Sequence, residues 1–78
     1  MNNTSINLTM LRQGDKGKVN TIAAGRGATK RLYELGFNTS AFVKIIKNDV
    51  GPVIVSLNGN KVAVGRGLAS KIILNQES

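Results

Sequence analysis

Lys30-Arg31-Leu32-Tyr33-Glu34-Leu35-Gly36-Phe37 is the stretch whose reading decides the fold. Ala28, Leu32 and Leu35 fall at i, i+4 and i+7, one face of a 3.6-residue period. That spacing predicts a helix with its apolar side turned inward. Gly36 follows the last apolar position, where a left-handed residue closes a helix without steric cost. Phe37 is then placed to touch Leu32 one turn back, as in a Schellman ending. Leu32, Leu35, Gly36 and Phe37 therefore read as packing and capping residues. Lys30, Arg31 and Tyr33 lie off the apolar face. They are the candidates for contact with a partner, since arginine and tyrosine are enriched at binding hot spots.

Outward from this helix the chain reads as β-structure. Upstream, residues 1–7 read as a loose tail, and Leu8, Met10 and Leu11 are the first residues able to join a core. Residues 13–17 form a turn with two glycines. Residues 18–24 make a first strand; Val19 and Ile22 are out of phase for strict alternation, which predicts a bulge near Thr21. Gly25-Arg26-Gly27 turns the chain into the helix. Downstream, residues 41–47 make a second strand, with Phe42, Lys44 and Ile46 on one face and Val43, Ile45 and Lys47 on the other. A polar turn, residues 48–51, follows. Gly51-Pro52 opens a third strand, a position where proline is tolerated. Val53, Val55 and Leu57 alternate there with Ile54 and Ser56. Asn58-Gly59 is the strongest local signal, a two-residue type I′ hairpin leading into a fourth strand over residues 60–64. Gly65-Arg66-Gly67 breaks that strand, residues 68–70 fit a single helical turn, and residues 71–74 make a fifth strand before a second tail. The fold class is mainly β: one domain over residues 1–78, a small SH3-like barrel of about five short strands with one helix after the first strand. Closure removes the exposed edges that so many short strands would otherwise present.

Composition removes most kinds of chemistry. The chain has 78 residues, enough for one small core. It contains no cysteine and no histidine, so thiol nucleophiles, zinc–thiolate sites and the commonest general base are absent. Asp15, Glu34, Asp49 and Glu77 form no pair within a helical turn. No phosphate-binding loop occurs, and both Gly-Arg-Gly triplets read as turn glycines around a surface arginine. The expectation is a protein with no catalytic residue, no cofactor and no metal site, acting by contact. Eleven Lys+Arg against four Asp+Glu give a net charge of +7, which favours acidic partners. No apolar run approaches the roughly 18 residues of a membrane span, and no signal-peptide layout is present, so a cytoplasmic protein is expected. A small basic nucleic-acid-binding barrel is the alternative. It is weakened by the aromatics: Phe37 and Phe42 are core candidates, and Tyr33 alone is a poor stacking platform.

Several segments in a fixed order resemble the ferrous iron transport protein A (FeoA) family. They are Leu11-x-x-Gly14-Asp15-x-Gly17-x-Val19, residues 31–37, Val43-Lys44-Ile45-Ile46, Gly51-Pro52-Val53 and residues 63–72. The resemblance covers residues 8–74. One departure is Ser40-Ala41, where that family commonly has a glycine. The resemblance implies an SH3-like fold and a small cytoplasmic accessory protein. The partner it implies is the membrane ferrous iron transporter, ferrous iron transport protein B, with its cytoplasmic GTPase domain. An anionic membrane surface is a further expected contact, and no specific nucleic acid is expected. A related barrel ends some metal-dependent repressors, so a regulatory SH3 module is a close alternative.

Overall fold

The computed structural model describes residues 6–38 and 40–77 of the chain. Period-two alternation of Val, Ile and Leu builds most of it. The elements in chain order are β1 (Ile6–Asn7), a 3-10 turn (Leu8–Met10), β2 (Lys16–Ile22), α1 (Arg26–Leu35), β3 (Phe42–Lys47), β4 (Val53–Leu57), β5 (Asn60–Val64), α2 (Arg66–Ala69) and β6 (Ile72–Glu77). The six strands form one antiparallel sheet in the order β1-β6-β2-β3-β4-β5.

Two bulges bend this sheet. One leaves Asn20 unpaired in β2, between the Val19–Leu74 and Thr21–Ile73 pairs. The other leaves Ile46 unpaired in β3, between the Ile45–Val55 and Lys47–Ile54 pairs. An extra residue on one strand sharpens the local twist, so a small sheet can wrap its inner face around one core. That face carries Val19, Val43, Ile45, Val53, Val55, Leu57, Val64, Ile72 and Leu74, all buried. Leu8 and Leu11 enter from the 3-10 turn, Leu32 and Phe37 from the end of α1, and Ala69 from α2. Gly17 lies inside β2 rather than in the preceding turn, paired with Gln76, and a Cβ there would meet the Asn75 carbonyl oxygen at 3.2 Å.

Ile6, Asn7 and residues 75–77 depart from the loose tails expected there. Ile6 and Asn7 pair with Leu74 and Ile73, and β6 continues to Glu77 by pairing with Lys18, Gly17 and Lys16 of β2. Residues 1–5 and 78 lie outside the described residues. Six strands thus replace the five expected, and the helix follows the second of them.

Helix α1 ends at a left-handed Gly36, with φ 108° and ψ 2°. The Gly36 N–H donates to the Tyr33 carbonyl at 3.0 Å and the Phe37 N–H to the Leu32 carbonyl at 2.9 Å. This is the paired bond pattern of a Schellman ending. Leu32 and Phe37 are both fully buried. Leu35 is not: the expectation of an inward Leu35 is corrected by its 47% exposure. Phe37 fills the space beside Leu32 instead, so the helix reaches the core through one turn and its cap. The Asn58-Gly59 hairpin has positive φ at both residues, 53° and 83°, and joins β4 to β5 at the Leu57–Asn60 pair.

A Cβ on Gly36 would lie 3.1 Å from Asn58 Nδ2 and 3.2 Å from Leu57 Cδ2. Gly36→Val therefore meets both a forbidden backbone region and a crowded site. We expect it to lower stability by about 2 kcal/mol in a urea titration, and an unchanged midpoint would refute the cap. Ser40 also has a left-handed φ of 74°. Ser40→Gly should raise stability by up to about 1 kcal/mol in the same titration, because glycine adopts that conformation without strain.

Candidate functional site

The footing of α1 on the core determines what the helix leaves free. Leu32 is the buried residue of α1, Ala28 and Thr29 are half-buried, and Lys30, Arg31, Tyr33 and Glu34 are exposed. The helix begins without a side-chain cap at Gly25. The Thr29 hydroxyl instead donates to the Ala24 carbonyl at 3.1 Å, holding the first turn against the end of β2. A groove of about 550 Å³ opens along this side, lined by Ala24, Arg26, Thr29, Lys30, Tyr33 and Glu34. Lys30 and Tyr33 therefore meet in one groove, whereas Arg31 stands outside its lining. Arg26, which the sequence reading left in a turn, joins them.

The groove brings charge of both signs and an aromatic ring together outside the core. Two cations and one carboxylate surround a half-exposed phenol ring, which offers apolar area and a polar tip together. Among the described residues, no three His, Cys, Asp or Glu side chains converge to hold a metal ion. Among the same residues, no helix is long and apolar enough to cross a membrane.

Two further residues escaped the sequence reading. Phe42, taken as a core candidate, is 54% exposed. Its neighbours Val43 and Ile45 point inward, so alternation forces Phe42, with Lys44, onto the outer face of the sheet. The Lys18 ammonium lies over its ring, 5.3 Å from the centroid.

The second is Asn48, in the turn after β3. Its Nδ2 donates to the Thr9 carbonyl at 2.9 Å and to the Leu11 carbonyl at 2.6 Å. Its Oδ1 accepts from Arg66 Nη2 at 2.8 Å, while Arg66 Nη1 donates to the Gly51 carbonyl at 2.9 Å. Arg66 thus ties α2 to the β3–β4 turn, and Asn48 ties that turn to the 3-10 segment. The second Gly-Arg-Gly triplet holds a structural clamp. A polar residue in a polar turn gives no sequence signal for such bonds, because its partners lie 37 and 39 residues away in the chain.

Asn48→Ala strands two carbonyl groups and one guanidinium donor. We expect it to lower stability by about 1–3 kcal/mol, and Arg66→Ala by about 1 kcal/mol, because Arg66 bonds in exposed surroundings. Equal melting midpoints for the two variants and the parent chain would remove the clamp.

Comparison with known proteins places this geometry. The model of the FeoA domain family matches residues 6–76. A protein of Methanocaldococcus jannaschii named as a candidate Fe(2+) transport protein A is 43% identical over 67 residues, which are 86% of this chain and 82% of that one. The crystal structure of an iron uptake regulatory protein (FeoA) superposes with a TM-score of 0.87 at 30% identity, covering 95% of this chain and 99% of that one. The zinc complex of Stenotrophomonas maltophilia FeoA, described as an SH3 domain protein, gives a TM-score of 0.80 at 23% identity, covering 92% and 95% of the two chains. The bent six-stranded sheet is accordingly SH3-like. A match over nearly every described residue, together with a relative at this identity, makes this chain a member of the FeoA family of ferrous iron transport proteins.

Proposed function

We propose that this protein is a non-enzymatic, cytoplasmic accessory of ferrous iron transport. Its partner in this reading is the membrane transporter of the same system, ferrous iron transport protein B, engaged at the inner face of the membrane. The observation that carries the reading is the groove beside α1, where Arg26, Lys30 and Tyr33 meet outside the core in a member of the FeoA family. Lys30, Arg31 and Tyr33 are the contact residues, with Arg26 added. Tyrosine supplies a rigid anchor, and the cations speed encounter with an acidic surface. Glu34 inside the groove gives it one negative point, so a partner must match charge by position and not only by total.

The nucleic-acid alternative gains an exposed aromatic in Phe42 but not a platform. Tyr33 and Phe42 line separate depressions, so bases stacked on one cannot continue onto the other.

The test is binding to the cytoplasmic part of the transporter, measured by calorimetry at low and moderate salt with a thermal melt of each variant. Lys30→Glu combined with Arg31→Glu should weaken binding at least ten-fold with an unchanged melt, and Tyr33→Ala should cost about 1–2 kcal/mol of affinity. Unchanged binding with unchanged melts would move the contact elsewhere on the protein. Lost binding with a collapsed melt would make Arg31 a structural residue.

A further inference from the structure

The outer face of the sheet carries a second charged patch, which the contact at α1 does not use. Lys16 of β2 is the register partner of Lys44 of β3, Lys44 of Ser56 on β4, and Ser56 of Lys61 on β5. Register partners share a face, so three lysines stand in one row across four strands. Lys18, two residues along β2 from Lys16, shares that face and caps the exposed Phe42 ring. Lys16, Phe42, Lys44 and Ser56 line one shallow depression. No carboxylate lines it among the described residues. Asp15, adjacent in sequence, has its carboxylate engaged by the Arg12 N–H at 2.8 Å. At the β6 edge of the same face, the register partner of Lys16 is Glu77, so the row ends beside one residue of opposite sign.

Like charges directly opposite one another on an antiparallel pair oppose folding. The Lys16–Lys44 pair is such an arrangement: Glu77 is the β6 register partner of Lys16, whereas Lys44 and Lys61 have no acidic register partner among the described residues, so a counter-charge from outside would relieve the row at those positions. Three properties identify the source of that charge. Lys16 and Lys44 sit on adjacent strands roughly 4.8 Å apart, Lys61 lies two strands further on and Lys18 lies beside the row, so the charges spread across the sheet and do not line a groove. All are lysines, compact point charges suited to a diffuse field, whereas single carboxylates and phosphates favour the bidentate fork of arginine. One apolar ring projects among them, with Phe37 buried and Tyr33 in the other groove. We propose that this face lies against an anionic lipid surface, with the lysines in the headgroup field and Phe42 at the interface.

The test is co-sedimentation of the full chain with vesicles of phosphatidylcholine containing about a third phosphatidylglycerol, at ~0.1 M and ~0.5 M salt. Each lysine near an anionic surface is worth roughly five-fold in partition, so Lys16→Gln with Lys44→Gln and Lys61→Gln should weaken binding about 100-fold. The charge-matched set Arg26→Gln, Lys30→Gln and Arg31→Gln should leave most of it. Equal losses in the two sets would reduce the effect to net charge and overturn the proposal. So would undiminished binding to pure phosphatidylcholine, or tighter capture of polyglutamate or single-stranded DNA by the same lysines. The unsubstituted chain gives a second reading that no folding defect can confuse. With a paramagnetic lipid in the vesicles, the amide signals of Lys16, Phe42, Lys44 and Lys61 should broaden first. Earlier broadening along α1 would sink the assignment. No transporter is present in either assay, so the outcome is separate from that of the α1 contact.

Discussion

Gly36 is the point on which the arrangement turns. Its backbone must be left-handed to close α1, and its Cα must carry no side chain because Leu57 and Asn58 press against it. These two demands fix the direction in which the chain leaves the helix. Phe37 is thereby driven into the core beside Leu32, and the last carbonyls of the helix are satisfied by the Gly36 and Phe37 amides. Asn58 belongs to the hairpin between β4 and β5, so the helix cap and the tightest turn of the sheet are braced against each other. The remaining turns of α1 need to bury little. That freedom lets Arg26, Lys30 and Tyr33 border an open groove instead of serving the core.

Local patterns made the interior of this fold legible. Alternation in Val53-Ile54-Val55-Ser56-Leu57, the Asn58-Gly59 pair and the helix-then-glycine ending each arise from neighbours in sequence, and each is present in the structure. Most of what these patterns miss is held elsewhere in the chain. Two residues such as Ile6 and Asn7 have no period of their own; they are a strand only because Leu74 and Ile73 offer an edge. Asn75, Gln76 and Glu77 carry no apolar alternation, and only β2 pairing holds them extended. Helical periodicity gives the direction of an apolar face but not its width, so it places Leu35 near Leu32 without showing that Phe37 takes the space. At Phe42 the alternation itself was clear. An aromatic side chain does not take the inner face there, because Val43 and Ile45 already hold it.

Hydrogen bonds at the other end of the sheet solve a different problem. The 3-10 segment, the β3–β4 turn and α2 are short and come from distant parts of the chain. Leu8, Leu11 and Ala69 anchor two of them in the core, and polar bonds relate them to the turn. Asn48 uses both ends of one amide, donating to Thr9 and Leu11 and accepting from Arg66, so one side chain relates all three segments. Asparagine suits this place because its amide offers donors and an acceptor without a charge to desolvate. An aspartate would keep the Arg66 contact but face two carbonyl oxygens with no donor.

Part of the net positive charge gathers on two surfaces of different character. The α1 groove mixes Arg26 and Lys30 with Glu34 around a tyrosine, so its charge alternates in sign over short distances. The row Lys16, Lys44 and Lys61 is of one sign and one residue type across the strands that carry it. Such a row attracts without specifying orientation about its own normal. A small barrel supports both because its inner face does the folding: the alternate positions of the same strands are released from packing and are free to hold charge. Repulsion between Lys16 and Lys44 costs a fraction of a kcal/mol in water, of the order seen for unfavourable cross-strand pairs, against a core that excludes water from fifteen hydrophobic side chains. That disparity is what lets a lysine-rich face persist on a chain this short.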